Sequence, residues 1–256
     1  MKKFSFTSVF LLLVCCGFYA ALTSCRPYID DVVVKPPITV DCQLNIQGGC
    51  LDQWELIDDG FHNICMEPAG GYLRTLNYLT TLPESAGGPG PLTTDSSSDS
   101  YSGPYAATLT TATFSPMGEP IIIPGIIGTD SLDIPNATIV LGKRFTARPT
   151  KFQGYYKYQP VGGDSALILV LLSKYNSGAG HRDTVAYAEQ YIKTPVPAYT
   201  FVDLPIDYAT YANANNPDTL TLIICSSGGV NFVDLMNCKG QVGSKMWIDE
   251  IQFVMP

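Results

Sequence analysis

The sequence predicts an all-β chain, an antiparallel β-sandwich of the jelly-roll kind, and three observations predict it. Apolar and β-branched residues come in short runs closed by Gly, Pro, Asn, Asp or Ser. No stretch sustains an apolar period of 3.6 residues over three turns with capping residues at its ends. The runs are rich in Thr, Tyr, Val and Ile, which suit a pleated, half-buried surface. Many such strands at regular spacing argue a sandwich rather than a βαβ fold.

The chain opens differently. Lys2 and Lys3 precede the apolar run "VFLLLVCCGFYAAL", too short to span a bilayer core of about 20 apolar residues, and the polar "TS" then Arg26, Pro27, Asp30 and Asp31 end it. This is the shape of a secretory signal over residues 1–24. Leu22-Thr23-Ser24-Cys25 resembles a bacterial lipobox, which implies cleavage before Cys25 and lipid attachment to its sulfur. Residues 25–40, with Pro27, Pro36 and Pro37, read as an extended tether, and residues 41–256 as one domain.

Removing residues 1–24 takes two lysines and no acid, so the net charge moves from −8 to −10 and 232 residues remain. That length suits one large β domain. A chain this acidic is a poor nucleic-acid binder, and its contact with a membrane would rest on acyl chains rather than on a basic patch. Export permits disulfides. Cys225 and Cys238 flank "SSGGVNFVDLMN" and are expected to close that loop, while Cys42, Cys50 and Cys65 allow at most one pair among themselves.

In order, the clearest strands are "YAATLTTATF", "ATIVLGKRF", "KFQGYYKY", "ALILVLLSKY", "TVAYAEQYI", "YTFVDLPIDY", "TLTLIICSS" and "KMWIDEIQFVM". Alternation in "KFQGYYKY" places Phe152, Gly154, Tyr156 and Tyr158 toward a core and Lys151, Gln153, Tyr155 and Lys157 away from it. A tyrosine flanked by hydrogen-bonding side chains suits the apolar underside and hydroxyls of a sugar, so Tyr155, Gln153 and Lys157 are candidate glycan contacts. A solvated sheet face is the alternative. Trp54 and Trp247 read mainly as core, and the loop tyrosines Tyr72, Tyr78, Tyr101 and Tyr105 are not singled out by spacing.

The segment "GKRFTARPTKFQGYYKYQP" resembles the signature of the carbohydrate-metabolism domain (PCMD) family of bacterial surface lipoproteins. Three further pieces follow that family's order: "TTDSSSDSYSGPYAATLTT", "FVDLPIDY" and "GSKMWIDEIQF". The resemblance implies a jelly roll of the galactose-binding, carbohydrate-binding-module type. It makes Arg148 a further candidate, either forked onto sugar hydroxyls or paired to hold a loop. It also implies a structural calcium joining Asp52, from "QGGCLDQW", to Asp249 of the last strand, with a backbone carbonyl near Ser102 or Gly103. Otherwise no cofactor is required.

Catalytic signals are sparse. There is no G-x-S-x-G elbow, no HExxH and no phosphate loop; His62 and His181 have no motif around them, and no pair of carboxyls is set across a cleft by spacing. The expectation is a lipid-anchored protein of the cell envelope, at the outer membrane and exposed at the surface, that captures glycan. An adhesive or assembly protein binding another protein through a sheet edge is the rival, and a glycoside hydrolase stands third.

Overall fold

A computed structural model describes residues 45–57, 65–81, 90–115, 118–133, 138–211, 215–231 and 237–256. The signal segment, Cys25, the tether, Cys42 and His62 lie outside the described residues. Among these the chain forms β1 (Trp54–Leu56), β2 (Met66–Pro68), β3 (Arg74–Thr75) and one helical turn, α1 (Asn77–Thr80). It continues with β4 (Thr94–Ser97), β5 (Ala106–Thr110), β6 (Ala112–Phe114), β7 (Ile121–Ile123), β8 (Ile126–Gly128), β9 (Asp130–Asp133), β10 (Thr138–Leu141) and β11 (Lys143–Arg144). The long strands come last: β12 (Lys151–Gln159), β13 (Ala166–Asn176), β14 (His181–Ile192), β15 (Val196–Pro205), β16 (Thr219–Cys225) and β17 (Lys245–Val254).

The expected antiparallel sandwich is what forms. One sheet runs β14-β13-β16-β8-β3, with β11 also on β16, and the other runs β15-β12-β17-β5-β4. Alternation along β12 is the one read from its sequence: Phe152, Gly154, Tyr156 and Tyr158 face inward. They pack on Ile168, Val170 and Leu172 of β13, Leu220, Leu222 and Ile224 of β16, and Met246, Ile248, Ile251 and Phe253 of β17. Burying each large side chain contributes about 1.5–3 kcal/mol, which is why register is strongly specified here. Two of the sequence runs break into shorter strands. "ATIVLGKRF" splits at Gly142, whose φ of +93° an L side chain rarely adopts, into β10 and β11.

A smaller apolar cluster lies outside the six-stranded sheet, where Leu76, Phe114 and Ile123 cover Ile126, Leu167, Ile223 and Cys225. Buried Asn77 ties the chain's early segment to the sheets, donating to Thr94 O at 2.6 Å and accepting from Thr93 N at 3.0 Å.

The expected Cys225–Cys238 disulfide is corrected by the structure: both residues are buried thiols. Sequence spacing shows that a loop could be closed, but each sulfur is engaged locally. Cys225 Sγ donates to Ser227 O at 3.2 Å, while Cys238 Sγ accepts from Asn231 N at 3.4 Å. Cys50 is the described cysteine that is disulfide-bonded.

The packing generates a direct test. Phe152→Ala is expected to cost about 3–5 kcal/mol in urea denaturation, whereas Lys151→Ala, one residue away on the solvated side, is expected to cost less than about 1 kcal/mol.

Candidate functional site

Strand register lays out the outer face of the five-stranded sheet. Lys157 of β12 lies opposite Trp247 of β17, and Trp247 opposite Thr108 of β5. In the next row Tyr155 lies between Phe201 of β15 and Asp249 of β17, and in the row after that Gln153 lies between Asp203 and Gln252. Rings therefore occupy the centre and amides and acids one end.

The loop over residues 98–105, between β4 and β5, folds onto this face. Tyr101 stacks on Tyr155, with ring centroids 3.5 Å apart and planes within 9° of parallel, and meets Tyr199 edge-on at 6.0 Å. Phe201 leans on Tyr155 from the other side at 5.2 Å and 50°. Tyr101 and Phe201 are 48% and 47% exposed, so they, rather than Tyr155, present open ring surface. The Tyr101 hydroxyl beside it, ahead of burial, holds the Tyr155 phenol above its usual range.

Polar groups border the rings. Gln153 Nε2 donates to Asp203 Oδ1 at 2.8 Å, Lys151 Nζ reaches Asp203 Oδ2 at 2.6 Å, and Gln252 Nε2 donates to Gln153 Oε1 at 3.5 Å. Hydrogen bonds from Lys151 and then Gln153 lower the Asp203 carboxyl below its usual range. At the covered end Lys157 pairs with Asp99 and lies 4.7 Å from the ring centroids of both Tyr199 and Trp247. Lys245 caps Trp247 at 5.1 Å. Trp247, expected in the core, belongs instead to this outer face.

Asp249 anchors the loop. Fully buried, its Oδ2 accepts the Tyr101 and Ser102 backbone N–H groups at 2.8 and 3.1 Å, and its Oδ1 accepts Glu250 N at 2.9 Å. Burial pushes its pKa up to about 6 against the opposing pull of those donors. A β-bulge makes this possible. Register shifts between Gln153 and Tyr155, and Glu250 takes φ +51° opposite Gly154, where a Cβ would meet Ile251 Cγ2 at 3.1 Å.

The acidic cluster differs from the expected Asp52/Asp249 pair. Donor atoms of Asp52, Glu250 and Cys50 lie within 4.8 Å of one another, while the Asp249 oxygens are occupied by backbone donors. Cys50, being disulfide-bonded, offers no thiolate. The remaining donors are two carboxylates, a hard-oxygen set that suits calcium or magnesium rather than zinc. Burial raises both the Asp52 and Glu250 carboxyls, and the Asp52 charge raises Glu250 further. Gly103 presses on the same group: at φ +63°, its Cβ would meet Asp52 Oδ1 at 2.1 Å. Leu51, beside Asp52, also has positive φ, +56°, so two non-glycine residues hold strained backbone around this cluster.

Of the residues singled out from sequence, the fold brings Tyr155, Gln153 and Lys157 onto one face and sets Asp249 beneath the loop that covers it. Arg148 is separate: its guanidinium lies 4.4 Å over the Tyr208 ring and donates to Asn215 O at 2.6 Å, which holds a loop. Sequence reasoning missed Phe201, Tyr199 and Gln252. Alternation in "YTFVDL" could have put Tyr199, Phe201 and Asp203 on one side; nothing in the sequence says that this side borders Tyr155.

No protein-family model matches the chain, nor does any curated protein. Among solved structures it is similar to a candidate glycoside hydrolase from Bacteroides vulgatus, with 21% identity and a TM-score of 0.61 over 80% of this chain and 96% of that one. A second candidate glycoside hydrolase, from Bacteroides thetaiotaomicron, is 19% identical with a TM-score of 0.53 over 79% of this chain and 67% of that one. The likeness is one of fold.

Asp249 sets a pH signature. Between about 4, the ordinary carboxylate value, and its raised value of about 6, the folded state binds more protons than the unfolded state, so this group's contribution to stability falls as pH rises through that window. Asp249→Asn keeps an acceptor and cannot titrate. The urea midpoint of the native chain is therefore expected to fall relative to that variant between pH 4 and 6, and a constant difference between the two would refute the assignment.

Proposed function

We propose that this chain is an exported β-sandwich, lipid-anchored at Cys25 in the cell envelope, that binds glycan on the outer face of the five-stranded sheet. The observation that carries the reading is the step of rings formed by Tyr101, Tyr155 and Phe201, with Gln153, Gln252 and Asp203 at its border. Open aromatic surface stacks on the apolar side of a sugar, and the amides and carboxylate can donate to and accept from its hydroxyls. Tyr155 contributes by seating Tyr101, and Lys157 by fixing Asp99, rather than by touching sugar. The motif resemblance to the PCMD lipoproteins and the fold shared with candidate glycoside hydrolases point the same way. Anchored at the outer membrane and exposed at the surface, such a protein would capture carbohydrate for separate degrading or importing machinery.

Calcium has a structural place in this reading. Asp52 and Glu250 would hold it, and its charge would relieve their mutual repulsion beneath the loop that carries Tyr101. The rival, strand addition by a protein partner, would use a bordering strand, either β14, whose edge Asp207 already pairs at Tyr187, or β15. Pro197 and Pro205 withhold N–H donors near both ends of β15 and weigh against that strand.

A glycan-array screen of the chain lacking residues 1–25 tests the proposal. Saturable binding is expected, weakened about tenfold or more by Phe201→Ala or Tyr101→Ala, the cost of losing one central aromatic contact. A blank array from folded protein would move the assignment to a protein partner, and release of reducing ends from bound glycan would add hydrolysis. Separately, calcium is expected to raise the melting temperature relative to chelator, more at pH 7.5 than at pH 5 because protons compete for the two raised carboxyls. Asp52→Asn should abolish that calcium response.

A further inference from the structure

The outer side of the six-stranded sheet carries a second ordered row of rings. β14 borders that sheet, and its "YAEQY" stretch directs Tyr187, Glu189 and Tyr191 away from the core while Ala188 and Ile192 are buried. Register sets half-buried Leu171 beside Tyr187 and Leu169 beside Glu189, giving the row an aliphatic floor. Paired backbone hydrogen bonds between Tyr187 and Asp207 hold the segment leading to Tyr211 against the strand. Tyr191 is 46% and Tyr211 39% exposed.

The row is positioned rather than loose. Tyr187 Oη donates to Glu189 Oε2 at 2.7 Å. A Cβ at Gly228 would meet Tyr191 Cε1 at 2.8 Å, so that ring rests directly on glycine backbone. Burial, then the hydrogen bond to Glu189 and its charge, and then the nearby Tyr191 and Tyr211 hydroxyls raise the Tyr187 phenol above its usual range.

We propose that Tyr187, Glu189, Tyr191 and Tyr211 form a second glycan-binding surface, one that takes a neutral polysaccharide laid along β14. Ring faces stack on sugar, the carboxylate accepts hydroxyl protons, and the chain's net charge of −8 repels polyanions. From Tyr187 to Tyr191 is about 13 Å along a strand, longer than one sugar ring, so the ligand is a chain rather than a monosaccharide. This surface lies on the opposite sheet from Tyr101 and Phe201 and is separable from them. Two surfaces on one molecule would raise avidity for a polymer without any new contact at either.

Affinity electrophoresis of the purified full chain in gels containing xyloglucan, β-mannan, starch or yeast mannan, with polygalacturonate as the anionic comparison, tests the inference. At least one neutral polymer is expected to retard the chain, Phe201→Ala to leave partial retardation, and Tyr191→Ala/Tyr211→Ala to remove what remains in the triple variant. Circular dichroism would verify that each variant folds. Retardation lost with Phe201→Ala but unchanged by Tyr191→Ala/Tyr211→Ala would overturn this second surface alone. No retardation of the native chain by any polymer would overturn both surfaces, and stronger retardation by polygalacturonate would overturn the neutral-ligand assignment. Concentration-dependent sedimentation abolished by Tyr191→Ala would assign the row to self-association instead.

Discussion

The candidate site depends on one buried carboxylate. Asp249 lies on the outer side of the five-stranded sheet yet is fully buried, because the loop over residues 98–105 closes over it and donates two backbone N–H groups to it. A carboxylate taken from water this far is tolerated only when its oxygens are satisfied. Here they are, by three backbone donors, and two of them, Tyr101 and Ser102, belong to the loop that brings Tyr101 over Tyr155. The same constraint that keeps the acid satisfied also builds the ring step.

Around that anchor the loop is held at several further points. Asp99 pairs with Lys157 and its carbonyl accepts from Tyr199 Oη at 2.6 Å; Gly103 packs on Asp52, and Tyr105 N donates to Asp52 Oδ1 at 3.4 Å. These contacts join three strands of the sheet, β12, β15 and β17, to the N-terminal segment. A platform built on a loop gains precision when the loop is tied to a rigid scaffold, and the β-sandwich supplies that scaffold. The cost is local strain, seen as positive φ at Leu51 and Glu250, offset by the ordered contacts around them.

The acids around the loop do different work despite their closeness. Asp249 is a hydrogen-bond hub, whereas Asp52 and Glu250 share a crowded, partly dehydrated space in which each resists ionisation. On the opposite sheet the order of the β14 rings comes from strand alternation and from the glycine backbone beneath Tyr191.

Period-two alternation was legible from the start. "KFQGYYKY" could place Phe152, Tyr156 and Tyr158 inside and Gln153, Tyr155 and Lys157 outside because side-chain direction along a strand is a local property. The all-β class followed from the same local signals. The bulge at Glu250 left a trace too: inward Met246, Ile248, Ile251 and Phe253 skip one position, though the skip reads as noise until Gly154 is seen opposite. Which strands lie side by side, that Tyr101 covers Tyr155, that Trp247 faces outward beneath two lysines, that Arg148 holds a loop, and that Cys225 and Cys238 stay thiols were decided only by tertiary structure. Each depends on residues far apart in the chain meeting through sheet pairing, and no local pattern encodes that pairing.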